Sequence, residues 1–346
     1  MQRDALSFLR CPFCGTRFSV IDNSALQQTD MTITYGVLGC ECCAYPIVDG
    51  IPVLIADDLT RDAMHAMEAG YRDEALHKLL GLTRARAARF VALTSGKHEP
   101  TYRQLLSLLT SDAEADYFFF RFSDPTYRTA EAILRSVVEK HCNAGIALDL
   151  CGGSGHLTRV LLERQFPGGT VLADVYYWKL WLAHRRVAIG CTPICCDANN
   201  PLPFTDLTFS SVVLSDAFPY LWHKRLCAGE MIRVSINDGI IVMSHLHSAS
   251  GKNISEGDTL TPAAYQDLFR SRAPRLFDDQ KLLDELLQYQ TIDLTGNLSP
   301  SELGSTPSIT LIASKKLEIF QRATVGTQSK ASGRLVVNPL YDVEYL

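Results

Sequence analysis

The stretch that most constrains this chain is Ile146-Ala-Leu-Asp-Leu-Cys-Gly-Gly-Ser-Gly155. A short apolar run ends in an acid and passes into a glycine-rich turn. From His156 to Phe166 the apolar residues Leu157, Val160, Leu161 and Phe166 recur at helical spacing and share one face. The order is strand, turn, helix. In an α/β sheet such a unit brings backbone N–H groups and a helix N-terminus to a ligand. Gly153 and Gly155, lacking Cβ atoms, let the chain turn tightly and a ligand approach the backbone.

The pattern repeats. Thr170-Val-Leu-Ala-Asp174 reads as a second strand ending in an acid, and Thr192-Pro-Ile-Cys-Cys-Asp197 as a third. Ser210 to Asp216 reads as a fourth and Gly239 to Leu246 as a fifth, with helical patterns between most of them. Strands alternating with helices imply a mostly parallel sheet, with ligands at the carboxyl ends of its strands. The acids sit at those ends, where carboxylates accept hydrogen bonds from hydroxyl or amino groups. The plainer alternative is that Asp149, Asp174 and Asp197 cap helices or turns.

A dinucleotide fingerprint requires a third glycine three positions after Gly155. That position is Thr158, which disfavours a nicotinamide cofactor. The segment instead resembles the first motif of class I S-adenosylmethionine-dependent methyltransferases of the type 11-like kind, an acid followed by glycines at alternate positions. Val171 to Asp174 is similar to the family's second strand, Cys196-Asp197-Ala198 with Leu202-Pro203-Phe204 to its third motif, and Phe209 to Leu214 to its fourth strand. Glu230 to Val234, then Asp238-Gly239, resembles the helix and turn before the fifth. The resemblance covers roughly residues 130–316, in family order.

It implies S-adenosylmethionine as cofactor. Asp149, Cys151, Gly152, Gly153 and Gly155 would form the glycine-rich cradle, Asp174 would hold the ribose hydroxyls, Asp197 and Ala198 the adenine, and Ser215 would close the set. Asp149 near a sulfonium and an α-amino group gives favourable charge complementarity. Cys151 departs from the family pattern, which has glycine there. The bulky Val175-Tyr-Tyr-Trp178 departs from its small polar residue after the second acid.

The amino-terminal part carries Cys11-Pro-Phe-Cys14 and Cys40-Glu-Cys-Cys43. Two such knuckles supply four thiolates for tetrahedral zinc. Cys42 makes the second knuckle ambiguous, and spacing selects Cys11, Cys14, Cys40 and Cys43. Four closed ligands leave no position for chemistry, so the zinc is expected to be structural. Ala44 to Leu54 is similar to the close of a small zinc-ribbon family that includes the activator subunit of certain tRNA and protein methyltransferases.

The expected architecture is α/β: a doubly wound, mostly parallel seven-stranded Rossmann-like sheet with a small amino-terminal zinc ribbon. The ribbon is expected over residues 1–56, a helical linker or lid over 57–128, the cofactor domain over 129–317 and an extension over 318–346. Residues 262–290 read as helical, Tyr289–Leu294 and Ser308–Ala313 as the last two strands, and Arg334–Val337 as an edge strand.

Methyl transfer depends on alignment and exclusion of water, with a base where the nucleophile must lose a proton. The candidates beyond the fourth and fifth strands are Asp216, His223, His245 and His247, of which His223 reads as a helix-entry residue; His245 and His247, two apart on a strand, point the same way. A metal pair there lacks nearby spaced partners in sequence. Ser215-Asp-Ala-Phe218 does not match the Asn-Pro-Pro-Tyr type motif, which weakens chemistry on nucleobase amino groups.

With a net charge of −5, the chain lacks the overall basic excess of proteins that grip structured RNA. Arg84-Ala-Arg-Ala-Ala-Arg89 and His184-Arg-Arg186 are local exceptions. No apolar run reaches the length of a membrane span, and 11 cysteines without a signal peptide fit a reducing cytoplasm. The leading expectation is methyl transfer to a small-molecule or biosynthetic-intermediate acceptor. The alternatives are an rRNA or tRNA base methyltransferase whose ribbon recognises RNA, and a non-catalytic scaffold of the same fold.

Overall fold

A computed structural model describes residues 1–139, 145–252, 255 and 257–325. Five short strands open the chain: β1 (Ser19–Ile21), β2 (Gln27–Gln28), β3 (Ile33–Gly39), β4 (Ala44–Val48) and β5 (Ile51–Pro52). They pair antiparallel in the order β1-β3-β4-β5, with β2 against β3.

Five helices follow: α1 (Asp58–Glu68), α2 (Arg72–Leu79), α3 (Arg84–Thr94), α4 (Tyr102–Leu109) and α5 (Asp112–Phe120). Short polar side chains start four of them. Asp57, Thr83, Thr101 and Ser111 each accept a bond from a backbone N–H three residues on. This satisfies donors that a helix start leaves free and fixes where each helix begins. Asp124 does the same for α6 (Pro125–Val138), where Pro125 occupies the first turn.

The remainder alternates. The elements are β6 (Ile146–Leu150), α7 (His156–Glu163), β7 (Thr170–Asp174), α8 (Tyr177–Leu182), β8 (Thr192–Cys195), β9 (Phe209–Ser215), α9 (Lys224–Val234) and β10 (Ser235–His247). Then come α10 (Pro262–Leu268), β11 (Pro274–Asp278), α11 (Asp279–Tyr289), β12 (Thr291–Asp293), β13 (Ser308–Ala313) and β14 (Arg322–Thr324). Seven strands form one sheet in the order β11-β13-β10-β9-β6-β7-β8, all parallel except the reversed β13. The apolar runs of β6 and β9 are buried, as strands covered on both faces must be. The chain winds from β6 outward to β8, then returns to β9 and winds the other way. The switch point therefore lies between β6 and β9, where doubly wound sheets open a crevice.

Two expectations fail. The segment 262–290 is not one helix: Pro274–Asp278 is the edge strand β11, with Leu276 opposite Leu311 and Phe277 opposite Thr310. Ala273, at φ 50°, ends the preceding turn, and Asp278 caps α11 through its side chain. Of Tyr289–Leu294 only Thr291–Asp293 is extended. It pairs with β14 in a separate two-stranded sheet, so β11 takes the place expected for it in the main sheet. The edge strand expected at Arg334–Val337 lies outside the described residues.

The small sheet is packed into the large one. Val53 bridges Cys195 in parallel, and Leu54 N–H donates to the Cys195 carbonyl at 2.7 Å, so this exit segment covers the open edge of β8. Tyr177 Oη donates to the Val48 carbonyl at 2.8 Å, and Trp181 Nε1 to Asp49 Oδ2 at 2.7 Å. One apolar cluster runs from Leu9, Ile47 and Leu54 to Leu148, Phe204 and Met231.

Candidate functional site

A cavity of about 540 Å³ opens at the carboxyl ends of β6, β7 and β9. Asp149, Cys151, Gly152, Gly153, Asp174, Asp197, Ala198 and Ser215 all line it, and Asp216 stands at its far side. Of the residues expected to hold the cofactor, only Gly155 is outside the lining. A Cβ there would meet the Cβ atoms of Ala183 and Ala188 at 2.9 and 3.0 Å, so Gly155 serves close packing beneath the turn. Gly152 is as tightly constrained: a Cβ would lie 2.5 Å from Asp149 Cγ. Cys151 takes φ 57° where a glycine is the easier residue.

The acids are tied to this turn. Asp149 Oδ2 accepts from Thr158 Oγ1 at 2.6 Å. Thr158, whose lack of glycine spoke against a dinucleotide, thus partners the buried acid. Burial, less the Thr158 bond and reinforced by nearby Asp174, pushes Asp149 up to about 7. Asp174 accepts from Gly153 N–H and Tyr176 N–H, both at 2.9 Å. Burial raises its pKa despite those bonds and the charge of Lys179. Asp197 accepts from Asn199 N–H at 2.8 Å, and Asn199 Oδ1 accepts from Trp222 N–H at 2.7 Å, linking the third acid to the mouth.

Aromatic groups form the floor and the rim. His156 is buried beneath Phe118 and Phe122, with ring centroids 6.2 and 4.3 Å away. Its Nδ1 lies 3.1 Å from Ser154 Oγ and its Nε2 3.1 Å from the Phe118 carbonyl. Burial and then the charge of Arg121 lower its pKa to about 3, which keeps the ring neutral. Sequence reading missed His156, because an interior-facing histidine at a helix start leaves no periodic signal. The aromatic-rich segment Asp116-Tyr-Phe-Phe-Phe-Arg-Phe122, at the end of α5 and just beyond it, contributes Tyr117, Phe118 and Arg121 to the lining, while Tyr220 and Trp222 stand at the mouth, Trp222 being 81% exposed.

At the far side Asp216, His245 and His247 converge, with one ligating atom from each lying within 4.8 Å of the others. His247 Nε2 is 3.5 Å from Asp216 Oδ1, the two imidazole centroids are 4.8 Å apart, and His245 Nδ1 is 3.3 Å from Asp279 Oδ2. Arg121 Nη2 donates to Asp216 Oδ2 at 3.2 Å. Asp216 and His245 both adopt left-handed backbone, φ 58° and 56°. The pairing of β10 with β13 shifts register between Met243 and Leu246, so the histidines converge through a bulge rather than a regular two-residue repeat. Such backbone is strained for these residue types and concentrates at functional sites. Burial opposes ionisation of Asp216, but His247, His245 and Arg121 together hold it below the usual carboxylate range. Asp279 and Arg121 carried no signal in sequence, being far from the residues they touch.

The thiolates group as follows. Cys11, Cys14, Cys40 and Cys42, not Cys43, bring their sulfurs within 4.8 Å of one another. Cys11–Cys42, Cys14–Cys40 and Cys40–Cys42 are 3.7, 3.8 and 3.8 Å apart. Zinc–sulfur bonds of about 2.3 Å in a tetrahedron place sulfurs about 3.8 Å apart, so these four residues fit zinc. Cys43 is drawn into the knuckle turn, its N–H on Cys40 Sγ at 3.2 Å, and packs against the apolar core.

No protein-family profile matches the chain, and no curated protein matches it. Solved structures do resemble it. Geranyl diphosphate C-methyltransferase from Streptomyces coelicolor A3(2), in complex with Mg2+, geranyl diphosphate and S-adenosyl-L-homocysteine, is 14% identical over 66% of this chain and 87% of its own, with a TM-score of 0.39. A complex between the Haloferax volcanii Trm112 methyltransferase activator and a methyltransferase gives 15%, 58%, 94% and 0.42. A SAM-dependent methyltransferase from Aquifex aeolicus gives 11%, 52%, 88% and 0.36.

The chain resembles S-adenosylmethionine-dependent methyltransferases. At these identities the likeness concerns fold, and no role of a residue in this chain rests on it. No described helix is long and apolar enough to cross a membrane.

Proposed function

We propose that the chain is an S-adenosylmethionine-dependent methyltransferase acting on a small acceptor. The observation that carries this reading is the cavity, which the acid-ended strands β6 and β7 line together with Asp216, the residue beside which His245 and His247 converge outside the lining. When bound, S-adenosylmethionine supplies an electrophilic methyl group on a sulfonium. Asp174 would accept hydrogen bonds from the ribose hydroxyls, and Asp197 with Ala198 would receive the adenine. Asp149 complements the cationic end. Cys151, Gly152, Gly153 and Ser215 shape the space between, and Gly155 lets the helix pack beneath it.

Tyr117, Tyr220 and Trp222 would flank the entry of the acceptor. An acceptor bound there would present its nucleophilic atom to that methyl group, and its proton would be released at the Asp216 end of the cavity. Neutral His156, Phe118 and Phe122 keep the floor apolar and exclude water. The ribbon is structural. Cys11, Cys14, Cys40 and Cys42 would hold its zinc, and Val53–Leu54 anchors it to β8.

The basic residues favour a small acceptor over RNA. Arg185 is paired with Asp49 and Arg186 with Glu99, so this cluster binds parts of its own chain together rather than forming a free phosphate-binding face. The test is transfer of isotopically labelled methyl from S-adenosylmethionine in a panel of small hydroxylated aromatics and, separately, total RNA. Label in a small acceptor is the expected result. Label confined to RNA would overturn the acceptor assignment.

A further inference from the structure

We infer that Asp216, His245 and His247 bind a first-row divalent transition-metal ion at the acceptor end of the cavity. The donor set is two imidazole nitrogens and one carboxylate oxygen, which favours such ions over magnesium or calcium and leaves positions open for an acceptor oxygen. A ligand distance of about 2.1 Å separates neighbouring ligand atoms by roughly 3.0–3.4 Å and opposed ones by about 4.2 Å. The 3.5 Å between His247 Nε2 and Asp216 Oδ1 is close to the neighbouring-ligand spacing, and the His245 ligand atom lies within 4.8 Å of both.

The surroundings fit an ion. Metal-bound histidines turn their other ring nitrogen to a carboxylate, which fixes the tautomer. His245 Nδ1 faces Asp279 Oδ2 at 3.3 Å, leaving Nε2 for the cluster. That Asp279 oxygen is buried and receives no well-aligned hydrogen bond from the described residues, while Thr310 Oγ1 holds the other at 2.6 Å. A cavity of about 100 Å³ behind His245 gives the ring room to settle. Asp216 divides its oxygens, Oδ1 toward His247 and Oδ2 toward Arg121. Arg121 also pairs with Asp124 at 3.2 Å, so its charge is not left facing the ion. Three carboxylates (Asp124, Asp216, Asp279) against one guanidinium leave two negative charges, which a divalent ion balances. The left-handed backbone at Asp216 and His245 holds both side chains in this convergence.

The ion's chemical meaning rests on the methyltransferase reading: bound beside the cavity, it would draw an acceptor hydroxyl toward its ionised form, the proton passing to solvent. Its existence does not rest on that reading. The test is metal content of the purified full chain after equilibration with Zn2+, and again with Co2+. The expectation is two ions per chain, one of which is lost in His247→Ala and in His245→Gln. The wild-type cobalt protein should show two components, and these variants should lose the one without sulfur charge-transfer absorption while keeping the thiolate band. Asp279→Asn, a positioning change, should weaken this site about 10–100-fold with an unchanged unfolding midpoint. One ion per chain in the wild type, or a second that survives both histidine variants, would overturn the inference. Retained S-adenosylmethionine binding in that event would leave the methyltransferase reading standing.

Discussion

Cys11 and Cys42 stand 31 residues apart, as do Asp216 and His247, yet the two clusters are built in different ways. The thiolates sit on two tight turns at one end of a small antiparallel sheet, and the geometry of each turn delivers its own pair. Asp216 and His247 sit on neighbouring parallel strands separated by α9, and only the sheet register brings them together. The first cluster has the sulfur spacing of a closed tetrahedron. The second keeps an open side on a cavity and stands on strained backbone. The ribbon is arranged to stabilise the fold, whereas the carboxyl-end cavity concentrates buried charge that a ligand must relieve. Separation in sequence therefore says little about which of two sites performs chemistry.

The largest effect expected from this contrast is in the ribbon. Cys11→Ser or Cys42→Ser should release its zinc and lower unfolding stability by several kcal/mol, since metal binding and folding are coupled there. Cys43→Ser should keep the metal. Metal analysis together with chemical denaturation reads both, and zinc loss in Cys43→Ser but not Cys42→Ser would restore the ligand set suggested by knuckle spacing.

A smaller effect belongs to the cavity. Asp149 is raised to about 7 in the fold, above the ordinary 3.8 of the unfolded chain. A raised carboxyl contributes stability at low pH that is lost as pH rises through the folded value. Between pH 5.5 and 8 the wild type should lose on the order of 2 kcal/mol relative to Asp149→Asn. Denaturation curves across that window measure it, and parallel profiles for the two proteins would show that Asp149 is not strained by burial.

Much of this was legible in the chain itself. Strands β6 to β10 announced themselves as apolar runs, each of the first four with an acid at or just past its carboxyl end, because a buried parallel strand needs apolar side chains on both faces. The acids lining the cavity were readable for the same reason: polar groups appear where such strands reach solvent. The edge strand β11 was not, since Pro274–Asp278 lies between two helical stretches and its partner Leu311 is 35 residues beyond Leu276. Spacing pointed to Cys43 over Cys42, whereas the turn decides which sulfur faces Cys11. Asp279, Arg121 and Thr158 act through contacts set by tertiary packing, and each reads alone as an ordinary helix or loop residue.

The cavity between the acid-ended strands is proposed as the S-adenosylmethionine site. Its most direct test is calorimetric titration of the zinc-loaded full chain with S-adenosylmethionine and S-adenosylhomocysteine, beside Asp174→Ala. One-to-one binding to the wild type, weakened about 100-fold or more in the variant, is the predicted result, as expected from two charge-assisted hydrogen bonds. No binding by a folded, zinc-loaded wild type, or equal binding by Asp174→Ala, would contradict it.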